Sequence, residues 1–214
     1  MSINLDAKAG VNRLANIAPA ETGRSETRRQ QILQAALDCF RSHGFHAASM
    51  SIISKKAGMS VGHIYHYFEN KEAIIGAIVE QDIDNASTIF EEIGREGDIL
   101  GAMIARADYG CDSHTDPATA ALCMEILAEA GRNPKIADIV RRADQIKLGA
   151  VSDLFRKGRA LRNLPLDDEN LNGRMEVLIA LFEGLSSRIV RHPTLDRQAT
   201  LKALKQVLHC LLEE

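Results

Sequence analysis

The chain has 214 residues, with 26 Lys and Arg against 29 Asp and Glu, a formal net charge of −3 and 45% hydrophobic residues. That is the balance of an ordinary globular protein, long enough for one or two domains. The longest run free of Asp, Glu, Lys and Arg, Ser42–Ser54, is too short for the ~18–20 apolar residues of a membrane-spanning helix. Lys8 and Arg13 break any apolar N-terminal run, so no secretory leader is expected. Cys39, Cys111, Cys123 and Cys210 form no CxxC pair, which suits reduced thiols in a cytoplasmic protein.

Charge is unevenly spread. Between Arg24 and Lys71, seven bases (Arg24, Arg28, Arg29, Arg41, Lys55, Lys56, Lys71) outnumber the acids Glu26, Asp38 and Glu69 for a net +4, leaving −7 for the remainder. A basic front and an acidic body is the asymmetry expected when only one domain faces phosphate.

Residues 1–22 lack periodicity and read as a flexible tail. The rest reads as helix throughout, an all-α chain of about nine helices, with no polar–apolar alternation long enough for a half-buried strand. Pro19, Pro117, Pro134, Pro165 and Pro193 all fall at expected helix boundaries. The first helix, about 25–42, places Leu33, Ala36, Leu37 and Phe40 on one stripe, with Gly44 as its C-terminal cap. Ser49 caps a short second helix that buries Met50, Ile53 and Ala57 and ends at Gly58. Ser60 caps a third, with Val61, Ile64, Tyr65 and Phe68 as its core stripe. Asn70 caps a fourth over 71–92. Further helices are expected near 98–112, 117–130, 134–162, 167–191 and 194–212. The seventh should bury Ile139, Ala143, Ile146, Ala150 and Leu154. The last two carry the stripes Leu178, Leu181, Phe182, Leu185, Ile189 and Leu201, Leu204, Leu208, Leu211.

Two short helices joined at Gly58-Met59, after a longer one, have the order of a helix-turn-helix unit, whose second short helix lies in the major groove. Subtracting its core stripe leaves Gly62, His63, His66 and Tyr67 outward and Ser60 at the N-terminus, where free N–H groups favour a phosphate. Tyr65 is expected to pack with only its hydroxyl reaching out, and Arg28 is either surface charge or a phosphate contact. His63 and His66 at i, i+3 could also hold a metal, but no third ligand lies nearby. Cys111, Asp112 and His114 form a second cluster whose sensing role competes with plain burial of the thiol.

The runs Phe45–Ile53 and Ala57–Glu72, with the Ala-Gly-x-Ser-x-Gly turn, Tyr-x-x-Phe and a Lys three residues later, resemble the DNA-binding domain of TetR-family transcriptional regulators over about 24–79. The resemblance implies a homodimer whose paired third helices enter successive major grooves of a near-palindromic operator. It also implies a ligand-binding body that releases DNA when occupied. Carried over by position, Ser49, Tyr65 or His66, Tyr67 and Lys71 are phosphate contacts, and Ser60, Val61, Gly62 and His63 lie next to the bases. His63 departs from the family, many of whose members have Thr or a similar small polar residue there.

The expected organisation is therefore a tail (1–22), a helix-turn-helix domain (23–70) and a ligand-binding and dimerisation domain (71–214). Met103, Tyr109, Met124, Phe155 and Phe182 are the candidate pocket residues, although apolar positions in these helices can be plain core. Leu178, Phe182, Leu185, Ile189, Leu204, Leu208 and Leu211 are the candidate dimer interface. No cofactor and no metal is expected. The partners are double-stranded DNA, a small-molecule effector and a second copy of the chain, with no membrane. A helical metal- or carboxylate-dependent hydrolase and a protein-binding adaptor remain as alternatives, the first opposed by the lack of HExxH and GxSxG.

Overall fold

The structure, a computed structural model, describes residues 20–213. Residues 1–19 of the expected tail lie outside the described residues. The described residues contain α-helices and no strand: α1 (Ala20–Ala47), α2 (Met50–Ala57), α3 (Val61–Tyr67), α4 (Lys71–Gly94), α5 (Ile99–Ala105), α6 (Ala107–Thr115), α7 (Pro117–Ala130), α8 (Pro134–Leu161), α9 (Asp168–Arg191) and α10 (Arg197–Glu213). The single helix expected over 98–112 is divided at Arg106, where ψ opens to 6°. The Arg106 side chain turns away to bond Glu92 on α4 at 2.6 Å.

Local chemistry sets the front of the chain. Ser49, Ser60 and Asn70 each accept a hydrogen bond from the backbone N–H three residues on, at 3.2, 3.2 and 2.8 Å. Gly58 ends α2 in the left-handed region at φ 65°, which a side chain would oppose. Gly44 is also left-handed, at φ 74°, but kinks α1 rather than stopping it, and a last turn continues to Ala47.

Two cores follow. The first joins Leu33, Phe40, Ile53, Ile64 and Phe68 of α1–α3 to Ile74 and Ile78 of α4, Leu122 and Ile126 of α7, and Ile136 of α8. The second joins Leu100, Cys111, Phe155, Met175, Leu204 and Leu208 across α5, α6 and α8–α10. On α8, Ile146 is exposed despite its place on the expected stripe, whereas Ala143 and Leu154 are buried.

Candidate nucleic-acid interface and ligand cavity

On α3 only one face packs. Ile64 and Phe68 are buried and Tyr67 is half-buried against the same core, the i, i+3, i+4 set of a short helix. Tyr65, expected on the core stripe, is instead 52% exposed, and Val61 is exposed too. Tyr67 takes the inward place because α3 meets its neighbours along the 64/67/68 edge. Gly62, His63 and His66 are exposed, and a Cβ at Gly62 would meet nothing within 4 Å. The Tyr67 ring lies 5.5 Å from that of His63 and 5.3 Å from that of His66, so the three rings form one patch. Ser49 and Ser60 use their oxygens as caps and keep their O–H groups for donation outward. Arg28 is exposed and, among the described residues, bonds Gln31 of its own helix at 2.9 Å. Arg29 turns inward over the Phe68 ring.

Lys71 departs from its expected phosphate role. Its ammonium donates to the carbonyls of Phe45 at 2.6 Å and His46 at 3.3 Å, and lies 4.4 Å from the centre of the Phe45 ring. These bonds tie the start of α4 to the α1–α2 turn. α7 holds the same turn from the body side. Glu125 accepts from the Phe45 N–H at 3.2 Å, and the buried Glu129 carboxylate meets His46 at 2.9 Å and Arg132 at 3.4 Å. Asn133 donates to Glu72 at 3.1 Å, closing the junction.

Further along the body a cavity of about 190 Å³ opens between α4, α5, α6, α8, α9 and α10. Met103, Tyr109 and Phe182 line it as expected; Met124 and Phe155 do not. Phe155 is fully buried in the second core and borders a smaller recess of about 120 Å³ beside Arg159 and Arg174. Met124 sits on α7, which packs on α9 outside the cavity wall. A Cβ at Gly110 would come within 2.5 Å of the Phe182 ring, so the glycine lets that ring seat.

The polar lining was not foreseen. Buried Asp82 forms an ion pair with Lys147 of α8. Its signal in the sequence was an acid on the Ile75, Ile78, Val79 stripe of α4, where only an internal partner makes a carboxylate tolerable. His114 is buried, its Nδ1 is 3.0 Å from Ser186 Oγ, and burial pushes its pKa down to about 3, so it stays neutral. The Ser113 hydroxyl is buried with no hydrogen-bond partner among the described residues. The Cys111, Asp112, His114 cluster does not converge. Asp112 pairs with Arg197 at the surface, and burial raises the Cys111 thiol pKa.

Of the expected dimer stripe, Leu178, Ile189, Leu204 and Leu208 are buried inside the protomer. Leu185 and Leu211 pack half-buried on the same core, and Phe182 faces the cavity. Within the protomer these stripes close the body, α9 packing on α6 and α8 and α10 on α5 and α6. The outer faces instead expose Val177 and Val190 on α9 and Val207 on α10.

Residues 32–78 match the family of bacterial regulatory proteins described as tetR, and residues 108–213 match the C-terminal domain of BetI-type transcriptional repressors. The solved structure of Salmonella enterica GusR superposes with a TM-score of 0.72 at 30% identity, over 88% of this chain and 96% of that one. The chain belongs to the TetR family of transcriptional regulators. The HTH-type transcriptional regulator UidR of Escherichia coli K12 is 40% identical over 118 residues, 53% of this chain, and the match spans just over half (57%) of that regulator's length. FadR of Bacillus subtilis, solved in complex with stearoyl-CoA, shares the fold with a TM-score of 0.72 at 18% identity, over 84% of this chain and 96% of that one. No described helix is long and apolar enough to cross a membrane.

Proposed function

We propose that this TetR-family regulator is a repressor that binds a near-palindromic operator as a homodimer and leaves it when a small molecule enters the body cavity. The observation that carries the reading is the exposed α3 patch of Gly62, His63, Tyr65 and His66, held by side-chain caps on a packed scaffold. Ser60, Val61, Gly62 and His63 face the base edges. Arg28, Ser49, Tyr65, His66 and the edge of Tyr67 serve the phosphates. Lys71 positions the unit through the α1–α2 turn, as its bonds to Phe45 and His46 support. Phosphate contacts supply most of the affinity and base contacts the selectivity. With about three to five phosphates per protomer, log K falls with log salt at a slope of about −5 to −9 for the dimer.

The cavity supports the effector role because Met103, Tyr109 and Phe182 surround a real void. α4 runs from the reading unit to that void, and α7 joins the α1–α2 turn through Glu125 and Glu129 while packing on α6, α8 and α9. An effector that binds better to one spacing of the two reading units therefore weakens DNA by the same factor. The outer faces of α9 and α10, with Val177, Ala180, Gly184, Val207 and Cys210, support the twofold contact. The expected place of action is the cytoplasm. Selection of bound sequences from a random DNA pool tests the reading. A near-palindromic consensus that also shifts in a gel under heparin competition is expected; no enrichment would reject it in favour of an adaptor or an enzyme.

A further inference from the structure

The charged side chains around the body cavity already have partners or water. Asp82 and Lys147 pair across α4 and α8, and Arg106, at the α5–α6 break, pairs with Glu92 at 2.6 Å. Glu183 on α9 is likewise engaged. Asp144 is exposed on α8, so water solvates its carboxylate at the rim. His114 is neutral, and its Nδ1 lies 3.0 Å from Ser186 Oγ. Ser113 adds a hydroxyl, which carries no charge. Most of the remaining wall is hydrocarbon and ring, with Ile89, Phe90, Met103, Val151, Leu178 and Phe182 prominent in it.

An ionised ligand of either sign must therefore compete for a counter-charge. Drawing Lys147 away from buried Asp82, or the reverse, is costly, because removing one partner of a buried pair leaves the other desolvated. The Arg106–Glu92 pair is open to water, where a new ion pair gains little. An uncharged molecule meets neither cost and gains from the apolar area it removes from water. Phe90, Tyr109 and Phe182 offer aromatic surface, and the Phe182 ring lies 5.8 Å from that of His114. On the scale where about 150 Å³ holds benzene, a void of about 190 Å³ takes one ring with a short side chain.

We propose that the cavity takes a small uncharged aromatic molecule, its ring against Phe90, Met103 and Phe182, and discriminates against ionised molecules of the same shape. This rests on the reading of the cavity as the effector site. Titration calorimetry of the full chain at pH 7.5 tests it with three probes of nearly equal size: 2-phenylethanol, which is neutral, phenylacetate, an anion, and 2-phenylethylamine, a cation. The alcohol should bind at least tenfold more tightly than either ion. An ion that binds as well as the alcohol, or no binding of the alcohol at millimolar concentration, would overturn the proposal. Ala86→Phe and Val151→Phe, which add bulk to opposite walls of the void, should each weaken the alcohol about tenfold or more with unaltered circular dichroism. Alcohol binding unchanged in both folded variants would place the molecule elsewhere and sink the assignment. A gel shift on the selected operator with the same preparations separates the two readings. Selective DNA binding released by phenylacetate or 2-phenylethylamine alone would reject the uncharged ligand and keep the regulator. Tight 2-phenylethanol binding by a chain that selects no DNA would do the reverse.

Discussion

The reading unit turns its functional side chains outward from seven residues of one short helix, whereas the body turns its own inward from six helices spread over more than a hundred residues. The first arrangement needs a rigid support and an open face, so its core lies beneath the patch and its caps at the edges. The second needs a void, and a void lined by polar groups is tolerable when those groups are paired, as Asp82 with Lys147 and His114 with Ser186 are. A change in the first region should therefore alter DNA binding with little effect on stability. A change in the second should alter stability and ligand binding together.

The sharpest test of that division is His63→Ala, expected to cost about 1–3 kcal/mol at the operator and to relax preference at one base position. Binding-site selection and thermal melting check it; unchanged base preference would remove His63 from the reading face. The body gives the next effect. His114 stays neutral in the folded chain down to about pH 3, while in the unfolded chain it takes up a proton near pH 6.5. The unfolded state then binds more protons between these values, so stability falls as pH drops through that window. Between pH 7.5 and pH 5 this amounts to about 2 kcal/mol, which His114→Gln should largely abolish in urea melts at the two pH values. An equal pH dependence in the variant would contradict the burial of a neutral imidazole.

Lys71 lies on the boundary between the regions and sharpens it. Lys71→Ala should lower stability by about 1–2 kcal/mol through the lost carbonyl bonds and ring contact. The salt slope of operator binding should stay the same. A slope flatter by about one unit, with no change in melting, would mark a phosphate contact instead. The smallest effect separates cavity from core: Met103→Ala should cost about 1 kcal/mol in ligand affinity, and Met124→Ala close to none. Equal losses in the two would place the site elsewhere.

Legibility followed the same division. The caps at Ser49, Ser60 and Asn70, the left-handed Gly58 and the packing of Ile64 and Phe68 were all readable, because each depends on residues within four positions of one another. Even there, Tyr65 and Tyr67 exchanged places, since a helix of two turns leaves the choice of packed edge to its neighbours. In the body, Met103, Tyr109 and Phe182 were found from residue type, but Phe155 and Met124 share that type and line no part of the cavity. The apolar stripes of α9 and α10 were correctly periodic, and Leu178, Ile189, Leu204 and Leu208 on them are already buried within the protomer: periodicity marks a buried face without saying what buries it.

By itself, then, the amino-acid order determined an all-helical chain with a capped helix-turn-helix front and the side chains that front can offer to DNA, because short-range hydrogen bonds and helical spacing act along the backbone. Only the tertiary structure decided that Lys71 clamps a turn, that Leu204 and Leu208 close the protomer, and that Asp82, Ser113, His114 and Lys147 meet around one void. Those outcomes depend on contacts between residues far apart in the chain, set by which helix faces pack together, and no local pattern encodes that choice.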